Sequence, residues 1–89
     1  MDISFDPAKD AVNTAKHGVS LALAAEIDWG DVLCYPDDRN DYGELREIGF
    51  ARLERRLYVV VFVQRGDVMR IISLRKANAR EVNVYEQTL

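Results

Sequence analysis

The stretch Arg70-Ile-Ile-Ser-Leu-Arg-Lys-Ala-Asn-Ala-Arg-Glu-Val-Asn-Val-Tyr85 joins a predicted strand directly to a predicted helix. β-Branched and apolar residues dominate Val68 to Leu74, which is typical of a strand. Asn78 has the side chain of a helix N-cap, and Glu81 stands at the N3 position of a capping box. The last helix is therefore predicted over about residues 79–87.

The strands before this stretch indicate how the sheet is connected. Leu57 to Gln64 is a run of tyrosine, valine and phenylalanine, and its two-sided apolarity predicts a central strand covered on both faces. Arg65-Gly-Asp67 supplies a tight hairpin to the next strand, and Leu45 to Leu53 predicts a further strand. Because these connections are too short for parallel crossovers, we expect a mostly antiparallel sheet.

The N-terminal half predicts two short helices and the edge of the sheet. Asp6-Pro7 provides an N-cap followed by proline at the first helical position, and Gly18 supplies the stop. A second helical segment is predicted from Leu21 to about Ile27, and a short edge strand from Ile3 to Phe5. The expected fold is one α+β domain over residues 1–89. It has a four-stranded, mostly antiparallel sheet, two N-terminal helices and one C-terminal helix.

The composition is that of an ordinary globular protein, since 48% of the residues are hydrophobic and 30% are charged. The single cysteine, Cys34, excludes an internal disulfide, and with the single histidine, His17, it does not make a zinc-ligand pattern. We predict neither a metal nor a cofactor. The N-terminus lacks the features of a signal peptide and no apolar run approaches a membrane span, so we expect a cytoplasmic protein without membrane contact.

The net charge of −3 conceals two halves of opposite sign. Residues 1–44 carry three basic and ten acidic residues, for −7, whereas residues 45–89 carry nine basic and five acidic ones, for +4. The basic half suits a polyanion, and the acidic half suits a basic partner. The alternative is that the halves intermix in the fold and their fields cancel. The acidic half contains one cluster, formed by Asp37, Asp38, Asp41 and Glu44.

Cationic side chains are concentrated where the last strand meets the last helix. Arg75, Lys76 and Arg80 are predicted to surround the helix N-terminus, whose free N–H groups favour anions. Arg70 and Arg75 fall on opposite faces of an unbroken strand, so both can join one site only if the strand ends or twists between them. The alternative is a solvated turn with no ligand.

Several short motifs occur in order along nearly the whole chain. They are Phe5-Asp6-Pro7-Ala8-Lys9, Asn13, Lys16-His17-Gly18-Val19-Ser20, Asp38-Arg39, Arg46 before Ile48-Gly49, and Arg70-Ile-Ile-Ser73 with Arg75, Ala77, Glu81 and Tyr85. In this order they resemble the BrnT-type toxins of bacterial toxin–antitoxin modules, which are relatives of the RelE-like ribonucleases.

The resemblance implies a RelE-like fold and a small endoribonuclease that inhibits translation by cleaving RNA without a metal. It also implies that a cognate antitoxin silences the toxin. Such antitoxins are typically BrnA-like ribbon-helix-helix proteins that bind DNA, so the toxin would contact DNA only indirectly.

Cleavage of RNA without a metal needs a base for the 2′-hydroxyl, positive charge at the phosphorane and an acid for the leaving oxygen. Guanidinium groups suit the second task because they grip phosphate oxygens in bidentate fashion. His17 is the only side chain with an ordinary pKa near neutrality. The catalytic candidates are Arg75, Arg46, His17 and Tyr85, and the RNA-binding candidates are Arg70, Lys76 and Arg80.

Each candidate also has a structural interpretation. His17 can interact with the dipole at a helix C-terminus, and Tyr85 on the inner side of a terminal helix can belong to the core. Glu47 beside Arg46 can pair with it and withhold it from RNA. A pI near 5.0 favours an alternative function, a catalytically weak or inactive binding module that holds a DNA-binding antitoxin and contributes to operon autorepression.

Overall fold

The computed structural model describes residues 1–89 and has the predicted α+β composition. In chain order its elements are β1 (Asp2–Ser4), α1 (Pro7–His17), 3₁₀ helices Leu21–Glu26 and Trp29–Asp31, β2 (Leu33–Pro36), β3 (Glu47–Leu53), β4 (Arg56–Arg65), β5 (Val68–Lys76) and α2 (Ala79–Gln87). The N-terminal half therefore has one α-helix and two 3₁₀ helices in place of the two predicted helices. None of the helices has the length and apolarity needed to cross a bilayer.

The five strands form a single sheet in the order β1-β5-β4-β3-β2. The pairs β2–β3, β3–β4 and β4–β5 are antiparallel, but β1 pairs with β5 in parallel. The sheet is thus mixed and five-stranded, and the prediction of a mostly antiparallel, four-stranded sheet is wrong. That prediction considered only short connections between successive strands. The chain between β1 and β5 is long enough for a parallel pairing.

One face of the sheet carries the main core, covered by α1 and the first 3₁₀ helix. Leu21, Ala24 and Ile27 are buried, and they recur every third residue. This spacing matches three residues per turn, so a 3₁₀ helix directs all three toward the sheet, which explains why this segment is not α-helical. The buried sheet residues beneath them include Val60, Phe62, Ile71 and Leu74.

Asn13 fixes α1 to the edge of β5. Its side-chain amide donates hydrogen bonds of 2.8 Å to the carbonyls of Leu74 and Val19, and its carbonyl accepts one of 3.2 Å from the Leu74 N–H. The strand β1 covers the edge of β5 only as far as Arg70. The buried amide of Asn13 therefore replaces a neighbouring strand at Leu74.

A β-bulge interrupts the pairing of β4 with β5. Val61 pairs with Ser73 but Phe62 pairs with Ile71, so Ile72 is an extra residue with no partner on β4. An extra residue reverses the alternation of side chains beyond it. Two residues of β5 on opposite sides of Ile72 therefore point to the same face of the sheet when an odd number of positions separates them. In a regular strand this requires an even number.

The helix α2 covers part of the sheet face opposite α1. Its predicted capping box is confirmed: the Asn78 side chain accepts a 2.8 Å hydrogen bond from the Glu81 N–H, and the Glu81 carboxylate accepts one of 2.9 Å from the Asn78 N–H. Tyr85 is buried, with its ring centroid 6.0 Å from that of Phe50. The ion pair between Arg75 and Glu81 places the first turn of α2 beside the end of β5.

Candidate functional site

Three arginines on the sheet face opposite α1, Arg46, Arg70 and Arg75, form what is called the arginine face here. Arg70 and Arg75 pair with Val63 and Val59, which lie four residues apart on the regular strand β4 and so share a face. The bulge at Ile72 is thus the interruption of strand alternation that Arg70 and Arg75 need in order to join one site. Along the strand the two Cα atoms are roughly 13 Å apart, at about 3.3 Å per residue.

The region between Arg70 and Arg75 has a polar side chain above an apolar floor. Ser73 pairs with Val61 and is half-buried on the same face. The valines beneath the arginines are almost completely buried. The long side chains of Arg70 and Arg75 can therefore converge from both sides on a group held above Ser73.

Arg46 lies immediately before β3, in the same alternation as Ile48 and Phe50. Its Cζ lies 3.7 Å from the centroid of the Tyr42 ring, and its Nε is buried without a hydrogen-bond partner. Almost all buried donors in proteins are paired, so this N–H is a donor with unused capacity. The Nε itself is closed to solvent, but the guanidinium forms no salt bridge, so its positive charge is free to attract a phosphate.

Glu47 does not withhold Arg46, so that part of the sequence interpretation is wrong. Successive side chains of a strand point to opposite faces, and the Glu47 carboxylate accepts a 3.7 Å hydrogen bond from the Cys34 thiol. This contact and burial raise the pKa of Cys34, with burial the larger cause. The carboxylate that contacts an arginine of the face is instead Glu81.

Arg75 forms a bidentate ion pair with Glu81. Its Nη1 and Nη2 donate hydrogen bonds of 2.8 Å to the two carboxylate oxygens. These bonds raise the pKa of Arg75 and lower that of Glu81, and in both cases they are the largest cause. The pair positions Arg75, and the Nε–H of its guanidinium forms no hydrogen bond.

Sequence reasoning missed two further groups, Tyr35 and Arg39, which lie close enough to Arg75 to influence its pKa. Arg39 donates two 2.7 Å hydrogen bonds to the carboxylate of Asp37, whose side chain is 0% exposed. These bonds are the main cause of the lowered pKa of Asp37. The only sequence signal for Arg39 was its place among the family motifs, because a long loop gives no indication of where it folds.

His17 lies in a groove of about 390 Å³ between α1 and the edge of β5, where Ser73 and Lys16 also line the wall. Burial is the main cause that lowers the pKa of His17 below 6.5, and the charges of Lys16 and Arg75 lower it further. His17 is therefore neutral at pH 7 and able to accept a proton. Ser73 belongs both to this groove and to the face that carries Arg75, so the groove opens at the edge of the arginine face.

Three of the predicted site residues lie away from this centre. Lys76 pairs with Tyr58 and lines a groove beside the first 3₁₀ helix, on the opposite face of the sheet from Arg75. Arg80 is exposed on the first turn of α2. The ring of Tyr85 is buried beneath Arg52, whose Cζ is 5.6 Å from its centroid. The predicted cluster of cations around the helix N-terminus is therefore wrong for Lys76.

One of the three salt bridges joins the acidic half of the chain to the basic half, so the opposite charges of the two halves cancel only in part. The three salt bridges are Arg39–Asp37, Arg65–Glu44 and Arg75–Glu81. Two members of the acidic cluster are thus neutralised, which leaves Asp38 and Asp41 without a salt bridge. Most cations of the C-terminal half, including Arg46 and Arg70, also have none. No three His, Cys, Asp or Glu side chains converge as metal ligands would.

A known family model covers most of the chain. Residues 5–81 match the family model of the ribonuclease toxin, BrnT, of type II toxin–antitoxin systems. The chain belongs to the BrnT family. The family resemblance inferred from the sequence motifs is therefore confirmed.

The BrnT match includes all three residues of the arginine face, Arg46, Arg70 and Arg75, together with Glu81 at its last position. Tyr85 lies beyond it. Membership makes this chain, at the level of the family, a ribonuclease toxin of a type II toxin–antitoxin system. No match is found among curated proteins.

Proposed function

We propose that this protein is a metal-independent endoribonuclease toxin that cleaves RNA at the arginine face, inhibits translation and is neutralised by a cognate antitoxin. One observation carries the proposal: the bulge at Ile72 brings Arg70 and Arg75 to the same face of the sheet as Arg46. Three guanidinium groups above a floor of buried valines suit a phosphodiester. The action on RNA would take place in the cytoplasm.

The arginines stabilise charge on the reacting phosphate. Arg46 offers a positive charge that no salt bridge neutralises, and Arg75 offers the side of its guanidinium that Glu81 leaves free. Arg70 approaches the phosphate from the other side of Ser73 and anchors the RNA strand. Donors that are already positioned before the reaction stabilise a phosphorane without further reorganisation.

His17 is the proposed base that removes the proton of the 2′-hydroxyl. Its lowered pKa keeps it neutral at pH 7, and its groove also contains Ser73. We assign buried Tyr85 to support of the face through Phe50, with no role in proton transfer. Arg80, exposed on the first turn of α2, contacts RNA outside the group of three arginines. Lys76 can contact only RNA that reaches the sheet face opposite Arg75.

The antitoxin is proposed to be a BrnA-like ribbon-helix-helix protein that alone contacts DNA. Asp38 and Asp41 are exposed and have no salt bridge. They belong to the loop that carries Arg39 and Tyr42, next to the arginine face. A basic segment of antitoxin bound to this loop would block access of RNA to the arginines.

Two observations favour a second candidate function. Glu81 already occupies two donors of Arg75, and the chain as a whole is acidic, with a pI near 5.0. Both features weaken the attraction of RNA to the face. A member with little catalytic activity would still hold its antitoxin and contribute to repression of the operon.

The test is cleavage of labelled RNA by the purified protein in EDTA, with and without the antitoxin. We expect cleavage in EDTA that the antitoxin abolishes. Arg75→Ala should lower the single-turnover rate by about 100-fold or more, as loss of a positioned donor does, and Arg75→Lys should restore little of it. Lys9→Ala, which removes an exposed charge on α1, is the matched control and should cleave normally.

The same experiment separates the two functions. Cleavage by Arg75→Ala at the rate of the unmodified protein would contradict the site. Cleavage that EDTA abolishes would contradict the metal-independent mechanism. No cleavage by a folded protein that binds its antitoxin tightly would favour the binding module.

A further inference from the structure

A second group of arginines surrounds a small cleft at the far end of the arginine face. The cleft lies between the β3–β4 turn and α2, has a volume of about 250 Å³, and is called the hairpin cleft here. Arg52, Arg55 and Arg56 line it, all three are exposed, and none forms a salt bridge. Glu86 is the one acidic residue in its wall.

The hairpin cleft continues the arginine face. Arg52 alternates with Phe50 and therefore lies on the same face as Arg46, roughly 20 Å away at about 3.3 Å per residue. Its partner on β4, Leu57, is two residues beyond Val59, the partner of Arg75. Arg52 and Arg75 therefore lie on the same face of the sheet, with the Tyr85 ring of α2 packed beneath Arg52.

The turn between β3 and β4 holds its arginines in a strained backbone. Leu53 pairs with Arg56, so Glu54 and Arg55 form a two-residue turn. Glu54 has a φ of 56°, a conformation that glycine adopts without strain but other residues rarely adopt. This tight turn keeps Arg55 and Arg56 next to each other at the mouth of the cleft.

We propose that the hairpin cleft is a second phosphate-binding subsite, which holds the backbone of the RNA strand on one side of the nucleotides at the arginine face. This inference rests on the proposed function and defines its substrate as an extended single strand of several nucleotides. Contacts to phosphates carry no sequence information by themselves. The cleft therefore favours RNA strands long enough to reach it from the arginine face. Any sequence preference depends on groups near the proposed centre.

The test is equilibrium binding of fluorescent 2′-O-methyl RNA, which lacks the 2′-hydroxyl needed for cleavage, at several salt concentrations. The variant Arg55→Gln/Arg56→Gln removes two charges at the cleft. Lys9→Gln/Lys76→Gln removes two exposed charges that lie outside the arginine face and the hairpin cleft, and is the matched control. All four side chains are exposed, so both variants should keep the circular dichroism spectrum and unfolding temperature of the unmodified protein.

For a strand of about twelve nucleotides, the cleft variant should lower the slope of log Kd against log salt concentration by about 1.4, since each phosphate contact contributes ~0.7 in single strands. The control should leave the slope unchanged. Glu86→Gln should tighten binding, because it removes a negative charge from the cleft. With shorter strands, affinity should fall in the unmodified protein, and the cleft variant should lose this dependence on length.

If the cleft variant and the control changed the salt dependence of Kd equally, the subsite would be overturned, because the arginines would then act only through the net charge of the protein. Failure of the unmodified protein to bind the longer strand would overturn it as well. Binding that depends on Arg55 and Arg56 without any cleavage would support the subsite and contradict the proposed ribonuclease. Cleavage by a protein whose binding is unaffected by the cleft variant would contradict the subsite alone.

Discussion

The side chain of Asn13 forms two hydrogen bonds with the backbone of a single residue, Leu74. It donates to the carbonyl at 2.8 Å and accepts from the N–H at 3.2 Å. Leu74 lies between Ser73 and Arg75, so this contact holds the segment of β5 that carries the proposed centre. A side chain of α1, on the other side of the sheet, thereby supports the arginine face.

Replacing Asn13 should destabilise the protein strongly. In Asn13→Ala both backbone groups of Leu74 and the carbonyl of Val19 lose a buried partner, so we expect the free energy of unfolding to fall by about 3 kcal/mol. Urea denaturation measures the loss. Thr14→Ala is the control, since Thr14 is exposed and makes only one 3.4 Å hydrogen bond. Similar losses in both variants would contradict the role of Asn13.

Gly49 has no side chain, and the space that a Cβ would need is occupied by the side chain of Val32. A Cβ at this position would lie 2.7 Å from Val32 Cγ1, so Gly49→Ala should reduce the free energy of unfolding by about 1–3 kcal/mol. Val32→Ala removes the clashing methyl. The double variant should therefore be more stable than the sum of the two single losses predicts, and simple additivity in a double-mutant cycle would contradict the proposed clash.

The ion pair of Glu81 with Arg75 predicts a pH-dependent stability. The pKa of Glu81 is lowered in the folded state, so its contribution is complete above the ordinary value of 4.5 and is lost as the pH falls through the lower folded pKa. Glu81→Gln keeps the capping geometry but removes the charge. At pH 7 it should cost less than about 1 kcal/mol, because the partner is partly exposed.

Thermal unfolding at neutral pH and at about pH 3 measures this effect. The difference between Glu81→Gln and the unmodified protein should be present at neutral pH and shrink in acid. Glu86→Gln, on the same helix but without an ion pair, is the control. A difference of equal size at both pH values would show that the charge of Glu81 is not involved.

His17 is the only histidine of the chain, so its NMR titration is unambiguous. We expect its pKa below 6.5, and we expect both Lys16→Gln and Arg75→Gln to raise it by removing a positive charge. A titration that neither variant moves would contradict the placement of His17 near the arginine face.

The proposed role of His17 also predicts a pH profile for cleavage. A base must be unprotonated, so the single-turnover rate should rise through the lowered pKa and level off by pH 7. His17→Gln should reduce the rate by about 100-fold and remove this dependence. A wild-type profile that is flat through the NMR-determined pKa would exclude His17 as the base.

Local signals in the sequence predicted the separate elements well. The N-cap at Asp6 and the stop at Gly18 bound α1, and the capping box at Asn78 starts α2. The two-sided apolarity of β4 correctly indicated its central place between β3 and β5. Each of these features depends on residues that are neighbours in sequence, and local energies are sufficient to specify them.

The features that the sequence did not predict depend on pairing between distant segments. No local signal specifies that β1 joins β5 in parallel. The bulge at Ile72 exists only in the register between β4 and β5, so strict alternation placed Arg70 and Arg75 on opposite faces. The shared face of these arginines is a property of the assembled sheet.

The pairing of β1 with β5 has a consequence for the order of events during synthesis. Asp2 finds its partner in Val68, so the first strand to leave the ribosome must wait for the last one before it has a neighbour. Pairing over so long a stretch of chain forms late in folding. Arg70 and Arg75 arrive on that same last strand. The arginine face therefore cannot assemble until the last strand of the sheet has been made.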